Sequence, residues 1–211
     1  MVTESPLMSV LGLGLAIPVL LWWVATVVVL LLMGLRRTSR LLSFGAATVV
    51  GLGALLSLVV LRDDTSVAGA VAAFIAGLLA RGWLEASYLL GIVTGPRPRA
   101  CPPGTDPARR FRLGILASLW HEITIVVCGV LLVSVHTGHA NDVGLWTFLV
   151  LWAMRWSAKL NLFLGVARFN VALLPERLRY LTTFMAKRRM NPLFPVSVTV
   201  GGGIAFFFLA S

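Results

Sequence analysis

Long apolar runs, each close to 20 residues, alternate along this chain with short polar segments dense in arginine. The runs are continuous in Leu, Val and Ala and lack the two-residue alternation of a barrel strand, so they read as helices. Twenty helical residues are what a bilayer's hydrocarbon requires. The pattern predicts an all-α, polytopic transmembrane bundle in a single domain covering 1–211, with about six spans near 7–34, 41–61, 67–93, 111–135, 143–166 and 193–211. Pro18 falls inside the first run and predicts a kink there. After the fifth, Pro175 can open a short helix over 175–190, with Leu178, Leu181 and Met185 on one side and Arg177, Arg179, Lys187 and Arg188 elsewhere. That is the pattern of an amphipathic helix lying in the membrane interface or docking on another subunit.

Composition agrees with the patterning. At 58% hydrophobic and 12% charged residues, with mean hydropathy +0.92, the chain carries more apolar surface than a soluble domain of 211 residues can bury. The net charge of +10 raises nucleic-acid binding, but no recognised binding module accompanies it, and its distribution reports topology instead. Fourteen of the 18 basic residues fall in three segments. Arg36, Arg37 and Arg40 follow the first run; Arg97, Arg99, Arg109, Arg110 and Arg112 follow the third; Arg168, Arg177, Arg179, Lys187, Arg188 and Arg189 follow the fifth. The positive-inside rule then places these segments in the cytoplasm and the N-terminus, 62–66 and 136–142 outside. The opening run has no basic segment before it, so it reads as an N-out span rather than a signal peptide. The basic face suits anionic lipid or an acidic partner surface. Cys101 and Cys128, on different elements, do not suggest a disulfide.

Within the apolar runs stand Arg81, Glu85, His121, Glu122, Arg155 and Lys159, with Asn161 close behind. An ionisable group in hydrocarbon is costly unless paired or facing a polar cavity, so these are the candidate functional residues. Gly69, Ala73, Gly77, Arg81 and Glu85 recur every four residues, as do Gly114, Ser118 and Glu122. Such stripes, small at one end and charged at the other, predict helix–helix seams that keep the charges inside the bundle. Counting from the expected boundaries, Glu122 and Arg155 fall at similar depth, about 16 and 18 Å into their helices. The expected pairs are therefore Glu122 with Arg155, and Glu85 with Arg81 or Lys159. The network can fix register, line a ligand or cofactor pocket, or serve as a proton or ion path.

His121 can hydrogen-bond a neighbouring helix or supply an axial nitrogen to a chlorin or haem. His136, His139 and Asp142 share one loop in loose metal-like spacing. No Gly-rich nucleotide loop, paired Asp-rich motif or zinc-type HExxH occurs, so no reaction is indicated.

Several blocks stand in a distinctive order: Trp83-Leu84-Glu85; Gly95-Pro96 through Cys101-Pro102-Pro103-Gly104; Trp120-His121-Glu122; Ser157-Ala158-Lys159-Leu160-Asn161-Leu162-Phe163-Leu164-Gly165-Val166; Leu174-Pro175; and Asn191-Pro192-Leu193-Phe194-Pro195-Val196-Ser197. From about residue 60 onward the chain resembles the PuhE family, photosynthetic complex assembly protein 2 of purple phototrophic bacteria. The resemblance implies a multi-pass inner-membrane protein that helps assemble the reaction centre and core antenna or influences bacteriochlorophyll supply. It carries no catalytic mechanism. Two departures stand out: relatives continue in hydrophobic sequence where this chain stops at Ser211, which predicts a shortened chain, and Ala167-Arg168-Phe169-Asn170 replaces a Pro-containing stretch.

Three functions follow as expectations. The first is a non-enzymatic assembly factor or accessory subunit that docks photosynthetic reaction-centre or core-antenna subunits. The second is a bacteriochlorophyll or lipid carrier with His121 as ligand. The third is a small-anion transporter.

Overall fold

A computed structural model describes residues 6–34, 37–165, 170–171, 174–186 and 190–210. Its elements are α1 (Pro6–Met33), α2 (Arg37–Leu61), α3 (Val67–Leu89), α4 (Pro107–Leu116), α5 (Leu119–His136), α6 (Val143–Leu164), a 3₁₀ helix (Glu176–Phe184) and α7 (Leu193–Ala210). The described residues are all helix and loop, with no strand. Three helical stretches, Thr38–Leu61, Val67–Leu89 and Leu119–His136, are long and apolar enough to cross a membrane. The helix α1 runs on through Pro18.

At the centre lies α3, which packs extensively on both α2 and α6. Local chemistry fixes its ends. Ser66 is the N-cap, its hydroxyl accepting from Gly69 N–H at 3.0 Å, and Asp64 Oδ1 accepts from Ser66 N–H. Four residues short of the expected boundary the helix stops, and Gly91 (φ 69°) turns the chain through the left-handed region. On the α3 stripe, a Cβ at Gly77 would stand 2.5 Å from the Gly144 carbonyl oxygen, and one at Gly144 would stand 2.7 Å from that of Ala73. The two backbones touch, as the stripe predicted. On α2 only Gly51 is used this way: a Cβ there would lie 2.7 Å from that of Trp83, whose indole donates to Thr48 Oγ1 at 3.1 Å. Gly45 and Gly53 face open space.

Two expectations need correction. The run 111–135 is not one helix. Asp106 caps α4 by accepting from Ala108 and Arg109 N–H, Pro107 fills its first turn, and the helix ends at Leu116. A new helix starts at Leu119. The break is tertiary in origin: Gly95 presses against Ala117 and Ser118 so closely that a Cβ would sit 2.7 Å from Ser118 N, and Thr94 C=O accepts from His121 N–H at 2.9 Å. The loop backbone thus supplies an acceptor to the first turn of α5, which the broken helix leaves short of one.

The second concerns 175–190. That segment is a 3₁₀ helix at Glu176–Phe184 rather than an α-helix. Its Leu178, Leu181 and Phe184 are buried against Tyr88, Ala117 and Phe163 of the same chain, forming a small second core, so this apolar face is already covered. Thr183 Oγ1 accepts from Cys101 N–H at 2.8 Å, tying the proline-rich loop to the segment.

At the opposite end Asn141, buried, joins both short loops. Its amide donates to Leu61 C=O at 3.0 Å and to Asp64 C=O at 2.8 Å, and its N–H donates to Arg62 C=O at 2.8 Å. His139 Nδ1 meets Asp63 Oδ1 at 2.8 Å, while His136 Nδ1 bonds Leu132 C=O within α5. The hydrogen bond from His139 holds the Asp63 carboxyl below the usual carboxylate range. The loop histidines therefore have separate structural partners.

Candidate functional site: a buried ion-pair network across three helices

The residues singled out in the sequence converge where α3, α5 and α6 meet near the basic end of the bundle. Of the expected pairs, Arg81 with Glu85 forms, whereas Glu122 takes Lys159 instead of Arg155. Arg155 Nη1 binds Glu85 Oε1 at 2.7 Å, and Arg81 Nη1 binds the other oxygen at 3.3 Å. Lys159 Nζ binds Glu122 Oε1 at 2.8 Å and also donates to Ser118 Oγ. The cause is the helix break: depths counted along one continuous 111–135 helix do not apply to α5, which places Glu122 in its first turn opposite Lys159. A carboxylate there also answers the positive end of the helix dipole.

Three cations and two carboxylates leave the cluster one charge positive, with His121 neutral. Lys159 and Glu122 are close to fully enclosed, their side chains 8% and 7% exposed. Aromatic faces complete the cations' surroundings: Tyr88 lies 5.0 Å from Arg155 Cζ, and Trp156 4.9 Å from Lys159 Nζ. His121 is fully buried, its ring 4.8 Å from that of Tyr88. Neither ring nitrogen has a hydrogen-bond partner, and Glu85 Oε2 stands 3.9 Å from Nε2. Tyr88 covers one face and the helices enclose the rest. As it stands the imidazole has no exposed side to offer a bacteriochlorophyll macrocycle.

Asn161 makes no bond to this network, although it lies only two residues past Lys159 toward the end of α6. It donates to Ser157 C=O and to Ser197 Oγ of α7 at 3.1 Å. Asn191 donates to Asn161 C=O at 3.1 Å and Gly165 C=O at 2.8 Å, while its own oxygen accepts from Phe194 N–H. Asn ahead of an apolar run is a helix-start signal that could have marked Asn191. Ser118 was marked only as a member of the Gly114, Ser118, Glu122 stripe, and nothing in the sequence marks Asn141 comparably.

The basic residues divide. Arg99, Arg109 and Arg179 are exposed, whereas Arg97, Arg110 and Arg177 are half-buried. Arg177 Nε donates to Leu89 C=O at 3.0 Å, serving the otherwise unpaired end of α3, and partial burial lowers its pKa from the ordinary arginine value. Lys187, Arg188 and Arg189 lie outside the described residues, as do 166–169.

The site and fold together define a class: an all-helical protein with apolar helices of membrane-crossing length, locked near one end by a buried ion-pair network. More particularly, residues 8–211 match the family model described as "Protein of unknown function (DUF3623)", and the chain belongs to that family. It is 41% identical over 194 residues to a Rhodobacter capsulatus protein named "Uncharacterized 30.4 kDa protein in puhA 5'region", covering 86% of this chain and 68% of that protein. No solved structure matches.

Proposed function

We propose that this protein is a non-enzymatic assembly factor or accessory subunit of a bacterial photosynthetic reaction-centre and core-antenna complex. It sits in the inner membrane through about six spans with its N-terminus outside. The observation that carries this reading is the relative named for the puhA 5′ region, which agrees with the resemblance to the PuhE family. The surface supports a docking role. Large apolar side chains stand outward on several helices, among them Leu42, Val49 and Val60 of α2, Val130 and Leu131 of α5 and Trp146 of α6. In a membrane these are free for lipid or for partner helices. The exposed arginines at the basic end offer a second contact for anionic lipid or an acidic subunit surface. The Lys159–Glu122 pair is enclosed and holds the scaffold.

The test is an absorption spectrum and subunit inventory of the tagged protein, purified in mild detergent from phototrophically grown membranes. Stoichiometric reaction-centre or antenna subunits are expected. Bound pigment without those subunits would replace this reading with a pigment carrier. Neither subunits nor pigment would remove the photosynthetic assignment.

A further inference from the structure

Two cavities lie end to end beneath α1, along the seam of α3 and α6. One, of about 660 Å³, begins at Pro18, Asp142 and Val143 and is lined by Phe74 and Trp146. The other, of about 530 Å³, runs between α1 and α2 to Arg81, Glu85 and Arg155. They share two lining residues, Leu78 and Leu151, where the two meet. From Asp142 to Arg155 the trough follows about 20 Å of α6, more than one leaflet's half of a hydrocarbon layer about 30 Å thick. Its walls are almost wholly aliphatic and aromatic. Asp142 stands at one end, and at the other two guanidiniums share a single carboxylate, a local charge of +1. The Nε of Arg81 and of Arg155 have no hydrogen-bond acceptor. A cation left in excess beside hydrocarbon is costly until an anion neutralises it.

We infer that this trough binds one long-chain anionic amphiphile, a single hydrocarbon tail ending in an acidic head. The head sits against the guanidinium groups of Arg81 and Arg155, and the tail passes Leu78 and Leu151 toward Trp146. The charge is what selects an acid over a neutral lipid. Lys159 and Glu122 are paired with each other and take no part.

Stearate brominated at mid-chain would place a quencher between Trp83 and Trp146. Titrated into the full-length protein in a neutral detergent, it is expected to quench tryptophan fluorescence saturably, with an apparent Kd roughly tenfold tighter than that of the matching brominated alcohol. Arg155→Gln is expected to abolish that preference, and Trp146→Phe to shrink the saturable signal. Leu78→Trp is expected to block quenching in a protein whose thermal melt is retained, and Leu151→Trp is the second blocking variant should the first not fold. Equal affinity for acid and alcohol would overturn the assignment of the head. Quenching that does not saturate would overturn the site. Equal quenching by a brominated-chain phosphatidylglycerol would overturn the single-tail reading.

Discussion

Lys159 is held by Glu122 and Ser118 in a place water hardly reaches, so the consequences of removing either charge are unequal to those of removing both. Lys159→Met leaves Glu122 buried without its cation and is expected to cost about 3–5 kcal/mol. Glu122→Gln combined with Lys159→Met leaves no orphan charge and is expected to recover most of that loss; unfolding in detergent, followed by helix content, reads both. Asn141→Ala, which removes two side-chain bonds between the loops, is expected to cost about 2 kcal/mol. The Asp63–His139 contact carries a pH signature. Because Asp63 titrates below the usual carboxylate value, the contact's contribution is complete above about pH 4 and is lost as pH falls through the lower folded value. The ring-proton shift of His139 should therefore show an acid step displaced downward, and Asp63→Asn should abolish it.

Between elements, the decisive contact is the α3–α6 seam. Gly77→Leu or Gly144→Leu would push two touching backbones apart, with an expected loss of about 1–3 kcal/mol or more. Gly53→Leu on α2 faces open space and is expected to leave the melting temperature unchanged. The same seam sets the charge pairing, since it aligns Arg155 with Glu85. The stripe Gly69, Ala73, Gly77, Arg81 and Glu85 was readable from four-residue spacing, because a helix's own geometry decides which side chains share a face. The break at Ala117–Ser118 was not. No proline or glycine interrupts Leu116-Ala117-Ser118-Leu119, and the interruption comes from the loop at Thr94 and Gly95 packing against it. The 3₁₀ segment was misread for a related reason: its apolar spacing is as consistent with docking on Tyr88, Ala117 and Phe163 as with lying in lipid.

Across the whole molecule, the resemblance blocks come together although they are far apart in the chain. The Trp83–Glu85, Trp120–Glu122 and Ser157–Val166 blocks meet in the ion-pair network, and Asn161 joins the last of these to the Asn191–Ser197 block. The proposed orientation is checked with single cysteines in a Cys101→Ser, Cys128→Ser background. Thr137→Cys should react with an impermeant maleimide from the periplasmic side, and Arg109→Cys only after the membrane is opened. The reverse result would invert the topology. By itself the sequence determined that the chain is helical and largely apolar and which ionisable residues stand inside its apolar runs. Composition, run length and helical periodicity are local properties, and they suffice for that. Only the tertiary structure decided that Glu85 also takes Arg155 while Glu122 takes Lys159, that one expected helix is two, and that Asn141 and Asn191 tie the ends together. Those outcomes depend on the axial offset and rotation of one helix against another, set by backbone contacts between residues distant in sequence.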